Sequence, residues 1–208
     1  MSLLKKIDEM IEERSLLKHP FYQQWSDGKL TLDSLAGYSK EYFQLVKMVP
    51  EFMSPIIQQA PSDQVDELIF NQREESEHIK PWIKFAESLG VSENDLIEYE
   101  GLPKTKQAVF DLSQLMHTFE GGSCAMYAFE KEIPKISQTK LDGLAKFYGI
   151  TSDDAREYFN LHTEADIRHA SAWRTILEST SDNNLIEIAD KSITAQNLLL
   201  DSCYEAYC

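Results

Sequence analysis

Apolar side chains recur at steps of three and four along almost all of this 208-residue chain, and nowhere does a period of two run between hairpin turns. That periodicity admits one class of fold. An all-α chain whose helices each bury one stripe must pack as a compact, irregular multi-helix bundle, and the absence of internal repeats excludes a solenoid.

The spacing predicts a first helix carrying Leu3, Leu4, Ile7, Met10, Ile11 and Leu17, ending near His19-Pro20 because the residue before proline resists helical geometry. A short aromatic segment, FYQQW, follows. Longer helices are expected over 31–52, with Pro50 and Pro55 kinking or ending the first of them, over 61–89, over 105–132 with Gly121-Gly122 inside it, and over 152–179. A shorter one is expected over 137–148 and a last one over 183–204, giving roughly seven to nine helices. The polar stretch EYEGLPK is a loop within one core, since neither half alone closes a bundle. Residues 1–208 are therefore expected to form a single domain.

A formal net charge of −15 repels a phosphate backbone and an anionic lipid surface, which argues against nucleic acid and membrane partners. The N-terminal segment carries charges throughout its stripe, and no run reaches the roughly 18 apolar residues of a membrane span. Three cysteines, Cys124, Cys203 and Cys208, without a CxxC pair, point to a reducing, cytoplasmic setting. Cys124 has no cation nearby in sequence and reads as core packing, while Cys203 and Cys208 fall in a terminal segment where disorder is common.

Ligand-type residues interrupt three of the apolar stripes. On the 152–179 helix the stripe runs Phe159, His162, Asp166, His169, Trp173, Ile176. At about 100° per residue, His162, Asp166 and His169 fall within about 60° of one another, while Glu164 and Arg168 point away. At about 1.5 Å per residue the two histidines lie about 10.5 Å apart, a long reach for one ion that favours two. A dinuclear site needs donors from facing helices.

Two such helices are present. The stripe Leu68, Asn71, Glu75, His78, Trp82, Phe85, Leu89 contains a Glu-x-x-His pair of the kind used in carboxylate di-metal bundles. Glu75 is the first choice there and Glu74, further from the stripe's centre, the reserve. The stripe Leu112, Leu115, Phe119, Ser123, Met126, Glu130, Ile133 supplies Glu130, a core carboxylate that is costly without a partner. Three carboxylates and three imidazoles make a mixed O/N set that suits iron or manganese. His19 and His117 join no stripe and are structural.

These residues, with HPFYQQWSDGKLT, YSKEYF, HIKPWIKFAESLGV, YAFEKEIPKISQTKLDGL and YFNLHTEADIRHA, resemble the heme-oxygenase-like di-metal oxidases of the TenA/PQQ synthase-like superfamily. The likeness spans nearly the whole chain and is greatest to the self-sacrificing p-aminobenzoate synthases typified by the chlamydial protein associating with death domains. It implies a heme-oxygenase-like fold and six metal ligands, matching His78, Glu130, His162, Asp166 and His169. The remaining glutamate is Glu75 or Glu74, depending on where a Gly/Pro-containing insertion absent from this chain is placed. It implies two iron ions, or one iron and one manganese, working with dioxygen and an external reductant.

The same resemblance implies that one of the protein's own tyrosines becomes the ring of p-aminobenzoate, for folate synthesis, and that a lysine gives the amino group. Tyr22 matches the ring source and Lys140 the amine donor; Phe129 stands where the chlamydial sequence has a second tyrosine, with Tyr127 nearby. Other expectations remain open: a di-metal oxidase of an external small molecule, or a death-domain-type interaction protein. A metal-free thiaminase-type or pyrroloquinoline quinone synthase-type relative has no need of six ligands. Exposed faces on the long helices suit a homodimer.

Overall fold

The computed structural model describes residues 2–208, and among them it holds twelve α-helices, two single 3-10 turns and no strand. In chain order these are α1 (Leu3–Glu13), α2 (Pro20–Asp27), α3 (Leu32–Val46), α4 (Val49–Ile57), α5 (Val65–Ser88), α6 (Glu93–Glu98), α7 (Pro103–Gln114), α8 (Phe119–Glu130), α9 (Ile133–Phe147), α10 (Asp153–His162), α11 (Ala165–Glu178) and α12 (Leu185–Tyr207). Side-chain caps start several of them. Ser2, Thr31, Thr118 and Ser152 each accept a hydrogen bond from a backbone N–H in the first turn that follows.

The count exceeds the expected seven to nine because three long stripes are broken and two short segments, α2 and α6, are helical. Pro50 lacks an N–H and its ring would strike the carbonyl of Val46, so α3 stops at Val46 and Pro50 sits in the first turn of α4. A 3-10 turn at Leu115–His117 and an extended Thr118 divide the expected 105–132 helix. Gly122 then lets α8 lie against α4, for a Cβ there would fall 2.4 Å from Ile56 Cγ1.

The third break alters the site. The expected 152–179 helix is two helices, α10 and α11, joined through Thr163 and Glu164. Thr163 Oγ1 donates to the Asn160 carbonyl at 2.7 Å, and the chain tightens to i−3 hydrogen bonds at Glu164 and Ile167. His162 ends one helix while Asp166 and His169 open the next, so the three do not form the continuous ladder that the wheel implied.

Helix α12 packs on α7, α8 and α3, α10 lies along α5, and α11 lies on α8. Trp25, Trp82 and Trp173 are fully buried, and each indole N–H has an acceptor: the Lys140 carbonyl, the Ser39 carbonyl and Glu130 Oε2. An indole of this kind removes on the order of 200 Å² from water, about 5 kcal/mol of gross stabilisation. Gly143 makes room for Trp25, whose ring would lie 2.6 Å from a Cβ.

The C-terminal segment is not loose. Leu199, Leu200 and Cys203 are buried in α12, and the Tyr207 hydroxyl donates to the buried Glu41 carboxylate at 3.2 Å. Glu41 also takes the Leu102 N–H at 3.1 Å and the Tyr99 hydroxyl, tying the loop before α7 to α3 and α12. Among the described residues no helix is long and apolar enough to cross a membrane.

Candidate metal centre and the buried lysine

Helices α5, α8, α10 and α11 bring the six candidate ligands together, and none of the six is more than 6% exposed. Their donor atoms form two groups that share one carboxylate: Glu75, His78 and His162, and Glu75, Asp166 and His169, each with its atoms within 4.8 Å of one another. Glu75 Oε1 lies 3.1 Å from His169 Nδ1 and 3.5 Å from His78 Nδ1, and Oε2 lies 3.9 Å from His162 Nε2. His169 Nδ1 is also 3.5 Å from Asp166 Oδ1.

These approaches are close but poorly aligned for hydrogen bonding. Glu75 Oε1, His78 Nδ1, Glu130 Oε1, Asp166 Oδ2 and His169 Nδ1 are all buried without a hydrogen-bond partner. Each such atom normally costs about 1–3 kcal/mol, and five converging in one place is the pattern a cation corrects. The remaining nitrogens are oriented from outside. His162 Nδ1 donates to the Tyr158 carbonyl at 2.7 Å, which turns Nε2 toward Glu75. His169 Nε2 donates to Glu74 Oε2 at 3.0 Å, which turns Nδ1 toward Glu75 and Asp166.

The structure thus separates the two adjacent glutamates. Glu75 stands among the donors, and Glu74 stands behind His169, clamped by Arg168 through two 2.9 Å bonds. Glu130 is the outlying member: Trp173 Nε1 donates to its Oε2 at 2.6 Å, and its other oxygen is among the unpartnered five.

Protonation preferences carry the same imprint. Burial, with Asp166 and Glu75 adding repulsion, pushes the Glu130 carboxyl well above its ordinary range. Burial raises Asp166 as well, and its histidine neighbours only partly offset this. Burial also opposes ionisation of Glu75, but the imidazoles of His162, His169 and His78 around it outweigh that and hold Glu75 well below its ordinary value. Burial alone would lower His169, yet Asp166 and Glu75 lift it to about 11. Protons here do the work of cations, and bound metal would displace them.

A cavity of about 10 Å³ lies against this cluster, walled by Glu75, Glu130, His162 and Asp166 on one side and by Tyr42, Phe129 and Tyr158 on the other. It has room for one water-sized molecule. Tyr127, two residues before Phe129, turns away and donates to Asp8 at 2.6 Å.

Tyr22 and Lys140 meet on the other side of the aromatic wall. Lys140, on α9 and 3% exposed, has its Nζ 2.7 Å from the Tyr38 hydroxyl and about 5 Å from the ring centres of Tyr22 and Tyr42, at 5.1 and 4.9 Å. Among the described residues no carboxylate pairs with it. Burial brings its pKa down from 10.5 to about 7. Tyr22, 1% exposed, places its hydroxyl 3.4 Å from that of Tyr38.

Ring contacts connect the two clusters without a gap. Tyr158 stacks on His162 with centres 4.0 Å apart, Trp82 meets Tyr158 at 4.7 Å, Tyr42 stacks on Trp82 at 5.0 Å, and Tyr38 lies 5.3 Å from Tyr42. Sequence reasoning assigned no part to Tyr38, Tyr42 or Tyr158. A usable signal was present: Trp82 and Tyr158 each lie four residues from a candidate histidine, and Tyr38 and Tyr42 lie four apart on α3.

The bystanders take structural places. His19 caps α2 by accepting the Phe21 N–H at 3.1 Å, and His117 is exposed. Cys124 is buried, its thiol 3.2 Å from the Leu185 carbonyl, and burial pushes its pKa up to about 12, which removes any thiolate at neutral pH.

The profile of the TENA/THI-4/PQQC family matches residues 4–206. Two curated relatives bear the name 4-aminobenzoate synthase. The one from Nitrosomonas europaea is 32% identical, with 98% of this chain and 92% of that protein covered, and the one from Chlamydia muridarum is 30% identical, with 98% and 88% covered. Among solved structures, a TenA homologue from Pseudomonas syringae superposes with a TM-score of 0.83 at 18% identity, covering 98% of this chain and 91% of its own. A domain of unknown function with a heme oxygenase-like fold from Shewanella denitrificans gives 0.80 at 18% identity, covering 99% and 91%. These likenesses place the fold in the heme-oxygenase-like class.

Proposed function

The chain belongs to the TENA/THI-4/PQQC family, and from that premise we propose that it makes 4-aminobenzoate from itself in a dioxygen-dependent reaction at a dinuclear metal centre, for use in folate synthesis. Tyr22 is the source of the ring and Lys140 the source of the amino nitrogen. His78, His162 and Glu75 would hold one ion and Asp166, His169 and Glu75 the other, with Glu130 beside them; iron, or iron with manganese, would suit the O/N donor set. When bound, such a pair supplies the power to reduce dioxygen and to draw electrons from a phenol, given an external reductant.

The observation that carries this reading is the position of Lys140: an amine without a counter-ion, 5.1 Å from the Tyr22 ring centre and enclosed by phenols. A pKa of about 7 keeps a large share of it unprotonated at neutral pH, and an unprotonated amine is both a nucleophile and a base. The proton that a phenol must shed on oxidation has a route in the same contacts, from Tyr22 to the Tyr38 hydroxyl and on to Lys140 Nζ. Burial of every member keeps water from a phenoxyl radical.

An oxidase of an external aromatic compound fits less well, because the cavity at the cluster admits little more than a diatomic molecule. Protein grown on ring-deuterated tyrosine and 15N-lysine, then loaded with iron or iron and manganese and given a reductant and oxygen, tests the proposal. It releases doubly labelled 4-aminobenzoate without added substrate, at no more than one per chain. Unlabelled product, sustained turnover, or undiminished release from Tyr22→Phe refutes self-sacrifice.

A further inference from the structure

Tyr22 lies on α2 and Lys140 on α9, and among the described residues no hydrogen bond joins their side chains. The Tyr22 hydroxyl meets the Tyr38 hydroxyl at 3.4 Å, and the Lys140 amine meets the same Tyr38 oxygen at 2.7 Å. Apolar ring contact is non-directional, so the register of α2 on α9 must be set by a directional contact elsewhere.

Trp25 makes that contact. It follows Tyr22 by three residues on the same face of α2, and its indole N–H donates to the backbone carbonyl of Lys140 at 3.2 Å. The indole reaches this carbonyl because Gly143, three residues after Lys140, has no side chain in the way: a Cβ there would fall 2.6 Å from both Cδ1 and Nε1 of Trp25. Two pairs spaced i, i+3 thus interlock, Tyr22 against the Lys140 amine and Trp25 in the notch at Gly143. The indole also meets the Tyr38 ring edge-on, with centres 5.6 Å apart, and so backs the phenol that holds the amine. Gly143 stands inside α9, where alanine is the better helix former, and the indole is what takes up the room.

We propose that Trp25, seated in the Gly143 notch, is the positioning residue that sets the register of α2 on α9 and so holds the Tyr22 ring against the Lys140 amine. The inference rests on the reading of Tyr22 and Lys140 as the sources of ring and nitrogen, and it names what brings them together. Lys140 Nζ lies 5.1 Å from the Tyr22 ring centre, and one helical turn is about 5.4 Å, so a slip of part of a turn separates the pair.

The Lys140 amine is itself the probe, in the full-length, metal-free protein and without any assay of turnover. The groups that face it are the phenols of Tyr22, Tyr38 and Tyr42 and the thiol of Cys203, and its pKa of about 7 holds while they keep water from it. Its titration is read from the Cε and Nζ resonances of isotope-labelled lysine, with Lys140 assigned by its absence from Lys140→Met. Trp25→Phe removes the donor and keeps a ring, and Gly143→Ala acts on the same contact from the opposite helix. Each is expected to raise the Lys140 pKa by at least about one unit. Leu112→Ala opens a cavity in the core at α7, controls for general loosening, and is expected to leave that pKa at the wild-type value. A wild-type pKa near 7 that neither Trp25→Phe nor Gly143→Ala moves, or that Leu112→Ala moves as much, overturns the register lock and leaves the reading of Tyr22 and Lys140 in place. A wild-type pKa at the ordinary lysine value overturns both.

Discussion

The cluster around Glu75 and the cluster around Lys140 are both polar islands in one hydrophobic core, and they are satisfied in opposite ways. Five of the eight buried unpartnered side-chain atoms among the described residues belong to the first, and none to the second. Three carboxylates crowd the first, whereas the second holds a single amine among phenols with no carboxylate. Burial therefore acts differently in each. Burial opposes the charges of the carboxylate cluster and leaves it suited to a cation, while the lysine cluster is complete as it stands and is held near neutrality.

The largest expected effect follows from the unpartnered atoms. An ion present at about a thousandfold its Kd adds roughly 4 kcal/mol, and a chain of this size gains on the order of 2–4 °C per kcal/mol, so two ions raise Tm by at least about 15 °C. Calorimetry with iron(II) or manganese(II) against a chelator measures it. A melting temperature indifferent to metal would remove the contrast between the two clusters.

The lysine cluster is expected to show itself through pH rather than metal. Folding lowers the Lys140 pKa from 10.5 to about 7, so between those values the unfolded chain binds the extra proton and stability rises with pH. The slope is about 1.4 kcal/mol per pH unit: burying the amine costs nothing above about pH 10.5, and the penalty grows as pH falls toward 7. Lys140→Met has no such group and keeps the volume, so the stability difference between wild type and variant, from urea unfolding at pH 7, 8 and 9, changes by that slope. Parallel curves would mean that Lys140 is not held neutral. Tyr38→Phe sharpens the same point: it leaves the buried amine without its hydroxyl partner, a loss of about 1–3 kcal/mol at pH 8 in the same unfolding assay.

The two clusters also differed in how far the sequence disclosed them. All six candidate donors sit at buried positions of apolar stripes, and burial is what a helical period reports, so the donors were legible one by one. Their arrangement was not. The break at Thr163–Glu164 carries neither glycine nor proline, and its cause is a hydroxyl bonding to its own backbone, so a single continuous ladder was expected. The choice between Glu74 and Glu75 came down to a 3.0 Å bond from His169 that spans 95 residues. Lys140 meets Tyr38 across 102 residues, and no local pattern on α9 announces phenols supplied by α2 and α3. Cys203 was misjudged by its position near the terminus, where packing of α12 on five other helices overrode the usual loosening.

The smallest expected change in stability comes from Glu130, and its smallness is informative. Burial and two neighbouring carboxylates push its carboxyl up, so Glu130 resists ionisation in the metal-free protein. Glu130→Gln keeps the shape and an oxygen for the Trp173 N–H, so metal-free stability is expected to move by less than about 1 kcal/mol. Metal affinity should respond far more, because binding needs the ionised carboxylate that glutamine cannot provide; a loss of about tenfold to a hundredfold is the scale for such a group. Measuring both quantities on one variant separates the roles. A large loss of metal-free stability would show that Glu130 is charged and paired in the resting core, like Glu75, whereas unchanged metal affinity would leave it as an acceptor for Trp173 alone.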